Sequence, residues 1–81
     1  MNLKLYSSYG CPRSSRMKEV LDELGVEYEE LDIDRESEYR EELNDKMGNA
    51  DRIPVLEKEG EIVHVGSVGS KEKVSEELGL E

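Results

Sequence analysis

Cys11 is the single cysteine in this chain of 81 residues, and its surroundings favour a reactive thiol. A short apolar-alternating stretch before it predicts a strand. Helically spaced apolar residues after it predict a helix that begins at Pro12. Unpaired N–H groups and the positive end of a helix dipole stabilise a thiolate at such a junction, and Arg13 and Arg16 add positive charge. The arrangement is typical of a redox thiol.

Ser14 follows Cys11 by three residues, so the predicted helix brings its hydroxyl within one turn of the thiol. With one cysteine no intramolecular disulfide can form, and a mixed disulfide on Cys11 must be released by an external thiol. One cysteine and one distant histidine, His64, do not have the spacing of a zinc site. We therefore predict no metal site, and we expect His64 to be either structural or exposed.

Charge restricts the classes of partner. The formal net charge is −10 and 40% of the residues are charged, which disfavours nucleic acid and anionic membranes as partners. The sequence shows neither a membrane-spanning apolar run nor a signal-like segment. A single unpaired cysteine fits a reducing compartment, so a cytoplasmic location is expected. The length predicts one domain over 1–81, acting as a monomer.

The first half of the chain predicts two strand–helix units. Asp34 is the expected N-cap of the second helix, and Gly25 and Gly48 are the expected helix ends. The imperfect alternation of the second strand indicates either an edge position or a bulge. The predicted elements are a strand over 2–6, a helix over 12–24, a strand over 26–33 and a helix over 35–47.

The second half predicts a hairpin followed by a helix. After a loop over 48–52, Ile53-Pro54-Val55-Leu56 begins a strand, and Gly60 marks the turn. The next strand covers 62–65, and a loop over 66–70 leads to a helix over 71–78. Ser70 is the expected N-cap of that helix and Gly79 its end.

The resulting order, β-α-β-α-β-β-α, predicts an α/β fold. A right-handed crossover makes the first two strands parallel, whereas the hairpin contributes antiparallel pairs. The expected architecture is a four-stranded mixed sheet flanked by three helices.

Four segments in this order resemble the glutaredoxin family, whose fold is thioredoxin-like. Each is short, but together they cover nearly the whole chain at the spacing of the family. They are Leu3-Lys4-Leu5-Tyr6-Ser7 leading into Cys11-Pro12-Arg13-Ser14, the segment 26–33, Arg52-Ile53-Pro54 in place of Thr-Val-Pro, and Val65-Gly66-Ser67 in place of a Gly-Gly turn.

The resemblance implies a catalytic segment formed by Cys11, Pro12, Arg13 and Ser14, with Cys11 as the nucleophile. Ser14 occupies the position of the second cysteine in Cys-x-x-Cys members, which makes the site monothiol. Pro54 resembles the cis-proline that faces the nucleophile in the family. The backbone of Ile53 would then pair with an extended thiol substrate.

The resemblance also implies a surface for the thiol co-substrate, composed of Tyr9, Arg40, Ile53, Pro54, Ser67, Gly69 and Ser70. Arg40 lies about where the family binds the glycine carboxylate of glutathione. Ser8 replaces a lysine found in many glutaredoxins. Gly69 and Ser70 lie near the acidic pair of the family, and their N–H groups could hold a carboxylate.

The predicted function is monothiol thiol–disulfide exchange. Its co-substrate would be glutathione or a similar small thiol such as γ-glutamylcysteine, and disulfide-bearing proteins would be its substrates. One alternative is an iron–sulfur carrier in which two subunits share a 2Fe–2S cluster. Pro12 and Arg13, however, depart from the Cys-Gly-Phe-Ser of usual carriers. Another alternative is a binding module without turnover.

Overall fold

The computed structural model describes residues 2–48 and 52–80 and confirms the predicted order of elements. Residues 49–51 of the predicted loop lie outside the described residues. The elements are β1 (Leu3–Ser7), α1 (Pro12–Leu24), β2 (Glu29–Asp32), α2 (Ser37–Met47), β3 (Val55–Lys58), β4 (Glu61–Val65) and α3 (Lys71–Glu77).

The four strands form one mixed sheet in the order β2-β1-β3-β4. β2 is parallel to β1, with Ser7 opposite Asp32. β3 is antiparallel to both β1 and β4, and its first residue, Val55, lies opposite Tyr6 on one side and Val65 on the other. The last residues of β1, β2 and β4 therefore meet the first residue of β3 at one end of the sheet.

Helices cover both faces of the sheet. α1 and α3 enclose one core cluster with alternate residues of β1 and β3, which consists of Leu3, Leu5, Met17, Val20, Leu21, Leu56, Val74 and Leu78. The α2 face holds a smaller cluster, which consists of Tyr6, Leu31, Ile33, Leu43 and Val55. The period-2 alternation along the strands thus separates two apolar layers, one on each face of the sheet.

α2 fully buries one residue of its own, Leu43, packs Tyr39 and Met47 partly buried against the smaller cluster, and adds polar contacts through Lys46. The Lys46 ammonium pairs with the buried carboxylate of Glu57 and donates a hydrogen bond to the Tyr6 hydroxyl at 3.1 Å. The hydrogen bond to Glu57 is the largest of the effects that raise the pKa of Lys46. A charge pair therefore joins α2 to β3 inside the smaller cluster.

Most of the predicted helix ends are confirmed. Pro12 is the first residue of α1, and Gly25 and Gly48 end α1 and α2 with φ of 70° and 83°, in the left-handed region where glycine is favoured. The Ser70 hydroxyl caps α3 by accepting the N–H of Lys73 at 3.1 Å.

The prediction that Asp34 caps α2 is wrong. α2 begins at Ser37, and Glu36 is the N-cap residue, without a side-chain hydrogen bond. The chain first makes a tight turn at Asp32, whose carboxylate accepts the N–H of Asp34 at 2.9 Å and that of Arg35 at 3.3 Å. This turn uses the residues with which the helix was predicted to begin.

β2 is shorter than predicted and lies at the sheet edge, which settles the choice between edge and bulge for this strand. Val26 was predicted to begin it, but its N–H bonds to the carbonyl of Leu21 at 3.3 Å and completes the end of α1. A register irregularity lies instead between β3 and β4, opposite Leu56 and Glu57. Glu59 and Gly60, both with positive φ, form the hairpin turn.

Among the described residues, no helix combines the length and apolar character needed to cross a bilayer.

Candidate active site

Most of the predicted catalytic and binding residues lie at one end of the sheet. The loop after β1 carries Cys11, the turn after β2 carries Asp34 and Arg35, and Pro54 immediately precedes β3. The turn that follows β4, at Gly66, is joined to the Pro54 carbonyl by an N–H···O bond of 2.9 Å. The mixed topology thus places four separate chain segments around one edge.

A tight turn over residues 8–11 positions Cys11. The N–H of Cys11 bonds to the carbonyl of Ser8 at 3.1 Å, and Gly10 has φ of 79° at the third position of that turn. A side chain there would be strained, which explains the glycine. Tyr9 occupies the outer corner of the turn and is 88% exposed. The turn therefore delivers Cys11 to the N-cap position of α1 with an uncovered aromatic ring beside it.

The electrostatics of the helix start favour the thiolate of Cys11. Partial burial raises the pKa of the thiol, but the N–H and hydroxyl of Ser14, and the N–H and positive charge of Arg13, outweigh it and give a net lowering of the Cys11 pKa. The first turn of α1 contains no acidic residue that would oppose this effect. Cys11 is therefore activated by its position.

Ser14 is the buried partner of Cys11, with 1% of its surface exposed. Its Oγ accepts the N–H of Ser8 at 3.3 Å. Because a hydroxyl has a single proton, this contact leaves the Ser14 proton free to be donated towards the Cys11 sulfur. Ser14 thus links the turn over residues 8–11 to the start of α1, next to Cys11.

The segment at Pro54 has the form that the resemblance implied. The Ile53–Pro54 peptide bond is cis, and Pro54 is fully buried. Ile53 lies outside β3 and is half-buried. Because β3 runs antiparallel to β1, this segment lies at the same sheet end as the Cys11 loop.

Ser8, Asp34 and Arg40 form a hydrogen-bonded chain that leads away from the nucleophile. The Ser8 hydroxyl donates to one carboxylate oxygen of Asp34, and the Arg40 guanidinium donates to the other at 2.9 Å. A cavity of about 440 Å³ lies alongside, lined by Tyr9, Asp32, Asp34 and Arg35. The cation predicted to bind substrate, Arg40, is therefore already paired with a carboxylate of the chain itself.

The remaining predicted binding residues lie on the β4–α3 side. Buried His64 is 3.1 Å from the Ser67 carbonyl and 3.2 Å from that of Gly66 through Nε2, and 2.7 Å from the Glu77 carboxylate through Nδ1. These contacts tie β4 and α3 to the turn at Gly66. Ser67, Gly69 and Ser70 are exposed there, and the hydroxyl of Ser70 is occupied in capping α3.

The donor set does not build a metal centre within the described residues. No group of three or more His, Cys, Asp or Glu side chains in 2–48 and 52–80 is placed to hold an ion. An iron–sulfur cluster takes four ligands, and the single cysteine of one chain supplies one of them.

Sequence reasoning missed Asp34 and Arg35 as residues of this site. Asp34 was predicted to be a helix cap, and Arg35 was predicted to begin the helix. One signal could have found them: both follow β2, and the carboxyl ends of parallel neighbours meet at the same sheet edge. That rule places the residues after Asp32 beside those after Ser7.

Comparisons with known proteins agree with this geometry. The glutaredoxin family model matches residues 3–63. The crystal structure of the thioredoxin-like protein BC3987 is similar, with 26% identity, a TM-score of 0.77 and coverage of 95% of this chain and 100% of that chain. Glutaredoxin grx-1 from Archaeoglobus fulgidus has 26% identity and a TM-score of 0.71, covering 93% of this chain and 83% of that one.

A buckwheat glutaredoxin–glutathione complex has 23% identity and a TM-score of 0.71, and the match covers 96% of this chain and 73% of that one. At this identity the likeness supports the fold alone. No curated protein sequence matches the chain. The family match spans most of the chain and includes the activated cysteine, which supports a thiol oxidoreductase role. The chain belongs to the glutaredoxin family.

Proposed function

We propose that this protein carries out thiol–disulfide exchange by a monothiol mechanism. The Cys11 thiolate attacks one sulfur of a substrate disulfide, the Cys11–substrate disulfide forms, and the other half of the substrate leaves as a thiolate. An external thiolate then attacks the substrate sulfur of this mixed disulfide and releases Cys11. The observation that carries the proposal is the single activated thiol with buried Ser14, and no second cysteine, one helical turn away.

Each residue of the catalytic segment has a proposed role in this exchange. Pro12 begins α1 and so fixes the helix terminus at Cys11. Arg13 contributes an N–H and a positive charge to the thiolate, and Ser14 contributes an N–H and a hydroxyl. These groups also make Cys11 a good leaving group in the second step, because a stabilised thiolate departs faster.

The substrate would lie across the Pro54 segment. Ile53 lies outside β3 and is half-buried, and in this proposal its N–H and C=O would pair with an extended thiol peptide as an added strand. Exposed Tyr9 would cover the mixed disulfide from the other side. Ser67, Gly69 and Ser70, near the turn at Gly66, would meet the far end of the ligand, and Arg40, paired with Asp34, would border it on the α2 side.

We propose a small thiol of the glutathione type as the external reductant. The mechanism requires a thiol from outside the chain, and a buckwheat relative of the same fold was crystallised with glutathione. Oxidised proteins would be the disulfide substrates. A reducing compartment such as the cytosol, and a monomeric single domain, complete the proposal.

The direct test is reduction of the mixed disulfide between glutathione and 2-mercaptoethanol, with glutathione as the reductant. Wild-type protein should turn over, Cys11→Ser should be inactive, and mass spectrometry should find one glutathione on the oxidised wild-type chain. Binding of glutathione without exchange, unchanged in Cys11→Ser, would contradict the proposal and indicate a binding module.

A further inference from the structure

Asp34 is placed where a substrate carboxylate would otherwise find its partners. Both of its oxygens are engaged, one by the Ser8 hydroxyl and one by the Arg40 guanidinium at 2.9 Å. The side chains of Arg40 and Asp34 are 46% and 42% exposed, so the pair lies at the surface and an incoming ligand can reach it. The positive charge of Arg40 is therefore neutralised from within the chain.

Asp34 adjoins the turn that carries Cys11, because the Ser8 hydroxyl donates to Asp34 and the Ser8 carbonyl accepts the N–H of Cys11 at 3.1 Å. Tyr9 and Asp34 line the same cavity of about 440 Å³, and Tyr9 lies two residues before the nucleophile. The other charged groups lining the cavity are Asp32 and Arg35, which carry opposite charges. The cavity lining thus carries two carboxylates and one guanidinium, a balance that disfavours a ligand carboxylate.

We propose that Asp34 is a specificity-determining residue that selects against disulfides bearing a carboxylate near the reacting sulfur. The preferred substrates are then disulfides whose substituent nearest the sulfur is neutral or cationic. Glutathione disulfides belong to this class, because the cysteine of glutathione is flanked by neutral peptide bonds and its carboxylates lie at the ends of the tripeptide. This inference rests on the proposed function, because it concerns which disulfides Cys11 attacks. With every disulfide the Cys11 thiolate forms a mixed disulfide with one half and displaces the other half as a thiolate. Selectivity therefore appears as a difference between disulfides in the rate of this one attack.

The test uses three small symmetrical disulfides of similar size and different charge. They are cystamine, bis(2-hydroxyethyl) disulfide and 3,3′-dithiodipropionate, which are cationic, neutral and anionic at neutral pH. The rate of a single attack by reduced protein is followed for each by the mass of the modified chain. Each disulfide has its own intrinsic reactivity, so the anionic-to-cationic rate ratio is compared between variants.

Asp34→Asn removes the charge but keeps one amide oxygen that can accept from Arg40, while its NH2 can donate to the Ser8 hydroxyl. Two unit charges several ångströms apart in water interact by a fraction of a kcal/mol, so each charged substrate should change by about three-fold in opposite directions. The anionic-to-cationic ratio should therefore rise about ten-fold. The double variant Asp34→Asn, Arg40→Gln should bring the ratio back towards the wild-type value.

Asp45→Asn is the matched control, because it makes the same charge change at an exposed position of α2 that does not line the cavity. An Asp34→Asn ratio that does not rise, or that rises no more than in Asp45→Asn, overturns the inference. Failure of wild-type Cys11 to react with any of the three disulfides contradicts the proposed function itself. The two failures are thus distinguishable.

Discussion

At the scale of single residues, Ser14 shows how a serine remains useful where a second cysteine would resolve a disulfide. Its Oγ accepts the N–H of Ser8, so its proton is directed towards Cys11. The carbonyl of Ser8 accepts the N–H of Cys11, so Ser8 is hydrogen-bonded to both Ser14 and Cys11. A hydroxyl fixed in this way stabilises a thiolate without competing as a nucleophile.

Replacing Ser14 by Ala should raise the pKa of Cys11, because the mutation removes one of the hydrogen bonds that lower it. The measurement is the rate of alkylation by iodoacetamide against pH, whose midpoint should move upwards relative to wild type. Ser15→Ala, the same chemical change at the exposed neighbour, is the control and should leave the midpoint in place. Equal midpoints in all three proteins would contradict the role given to Ser14.

The lowered pKa of Cys11 also predicts how stability depends on pH. In the unfolded chain the thiol titrates near its free value of about 8.5, whereas the folded value lies lower. The unfolded state therefore binds more protons between the two values, and stability rises with pH. This contribution is fully present above the unfolded pKa and is lost as pH falls through the folded one.

Urea unfolding of wild type and Cys11→Ser, each under reducing conditions across this pH range, measures that contribution. The difference in unfolding free energy, wild type minus variant, should increase with pH. A difference that decreases with pH would show that the folded protein favours the neutral thiol.

The sequence predicted the activated thiol of Cys11 and its hydrogen-bond partner Ser14 because both lie in one short segment with strong local signals. Asp34 could not be assigned in the same way. An aspartate just before a helical pattern is typical of an N-cap, and only the pairing of β2 with β1 brings its carboxylate to Ser8. Contacts between distant segments are not encoded in local spacing.

At the scale of elements, α2 is attached to the sheet by apolar contacts and by an ion pair with β3. It buries Leu43, packs Tyr39 and Met47 against the smaller cluster, and contacts Glu57 and Tyr6 through Lys46. The Glu57 side chain is 4% exposed, so its charge depends on this one lysine for compensation. Removing one member of such a pair leaves a buried charge without a partner.

Lys46→Met should therefore lower the unfolding free energy by about 2–3 kcal/mol, which is below the full cost of breaking a buried pair because Lys46 is partly exposed. Lys71→Met, at an exposed position of α3, is the control and should cost far less. Adding Glu57→Leu to Lys46→Met should restore most of the lost stability. Urea denaturation measures all three, and equal losses for Lys46→Met and Lys71→Met would contradict this account of α2.

Element types were predictable from periodicity, whereas several boundaries were not. α1 was predicted with its exact limits because Pro12 and Gly25 are strong signals at its two ends. β2 was predicted too long because Val26 has strand-like chemistry but donates its N–H to the end of α1. That N–H could bond either to a neighbouring strand or to the last carbonyls of α1. The apolar pattern of the sequence does not specify which of the two it does.

At the scale of the whole molecule, the charge of −10 acts over a body of 33 × 25 × 18 Å. The Debye length is about 30 Å at 0.01 M salt and about 8 Å at 0.15 M, so at low salt most acidic side chains repel one another across the whole fold. Expansion on unfolding relieves that repulsion, which therefore weighs against the compact state.

We accordingly expect the thermal unfolding midpoint to rise when NaCl is increased from 0.01 to 0.15 M, because screening weakens the repulsion. Differential scanning calorimetry at neutral pH measures it. Lys46→Met, which makes the chain more acidic by one charge, should show at least as steep a rise. A midpoint that falls over this range would show that favourable ion pairs dominate instead.

Because the candidate site lies at one end of the sheet, the protein can be attached to a surface or a label through the opposite end. The Glu59–Gly60 turn lies there, beside the first residues of β1, a strand of five residues that is about 16 Å long. Because the sole cysteine is the proposed nucleophile, attachment through maleimide dyes or gold surfaces would consume the thiol on which the proposed activity depends. A ketone-bearing unnatural amino acid at exposed Glu61 would instead tether the chain to an electrode with Cys11 facing the solution.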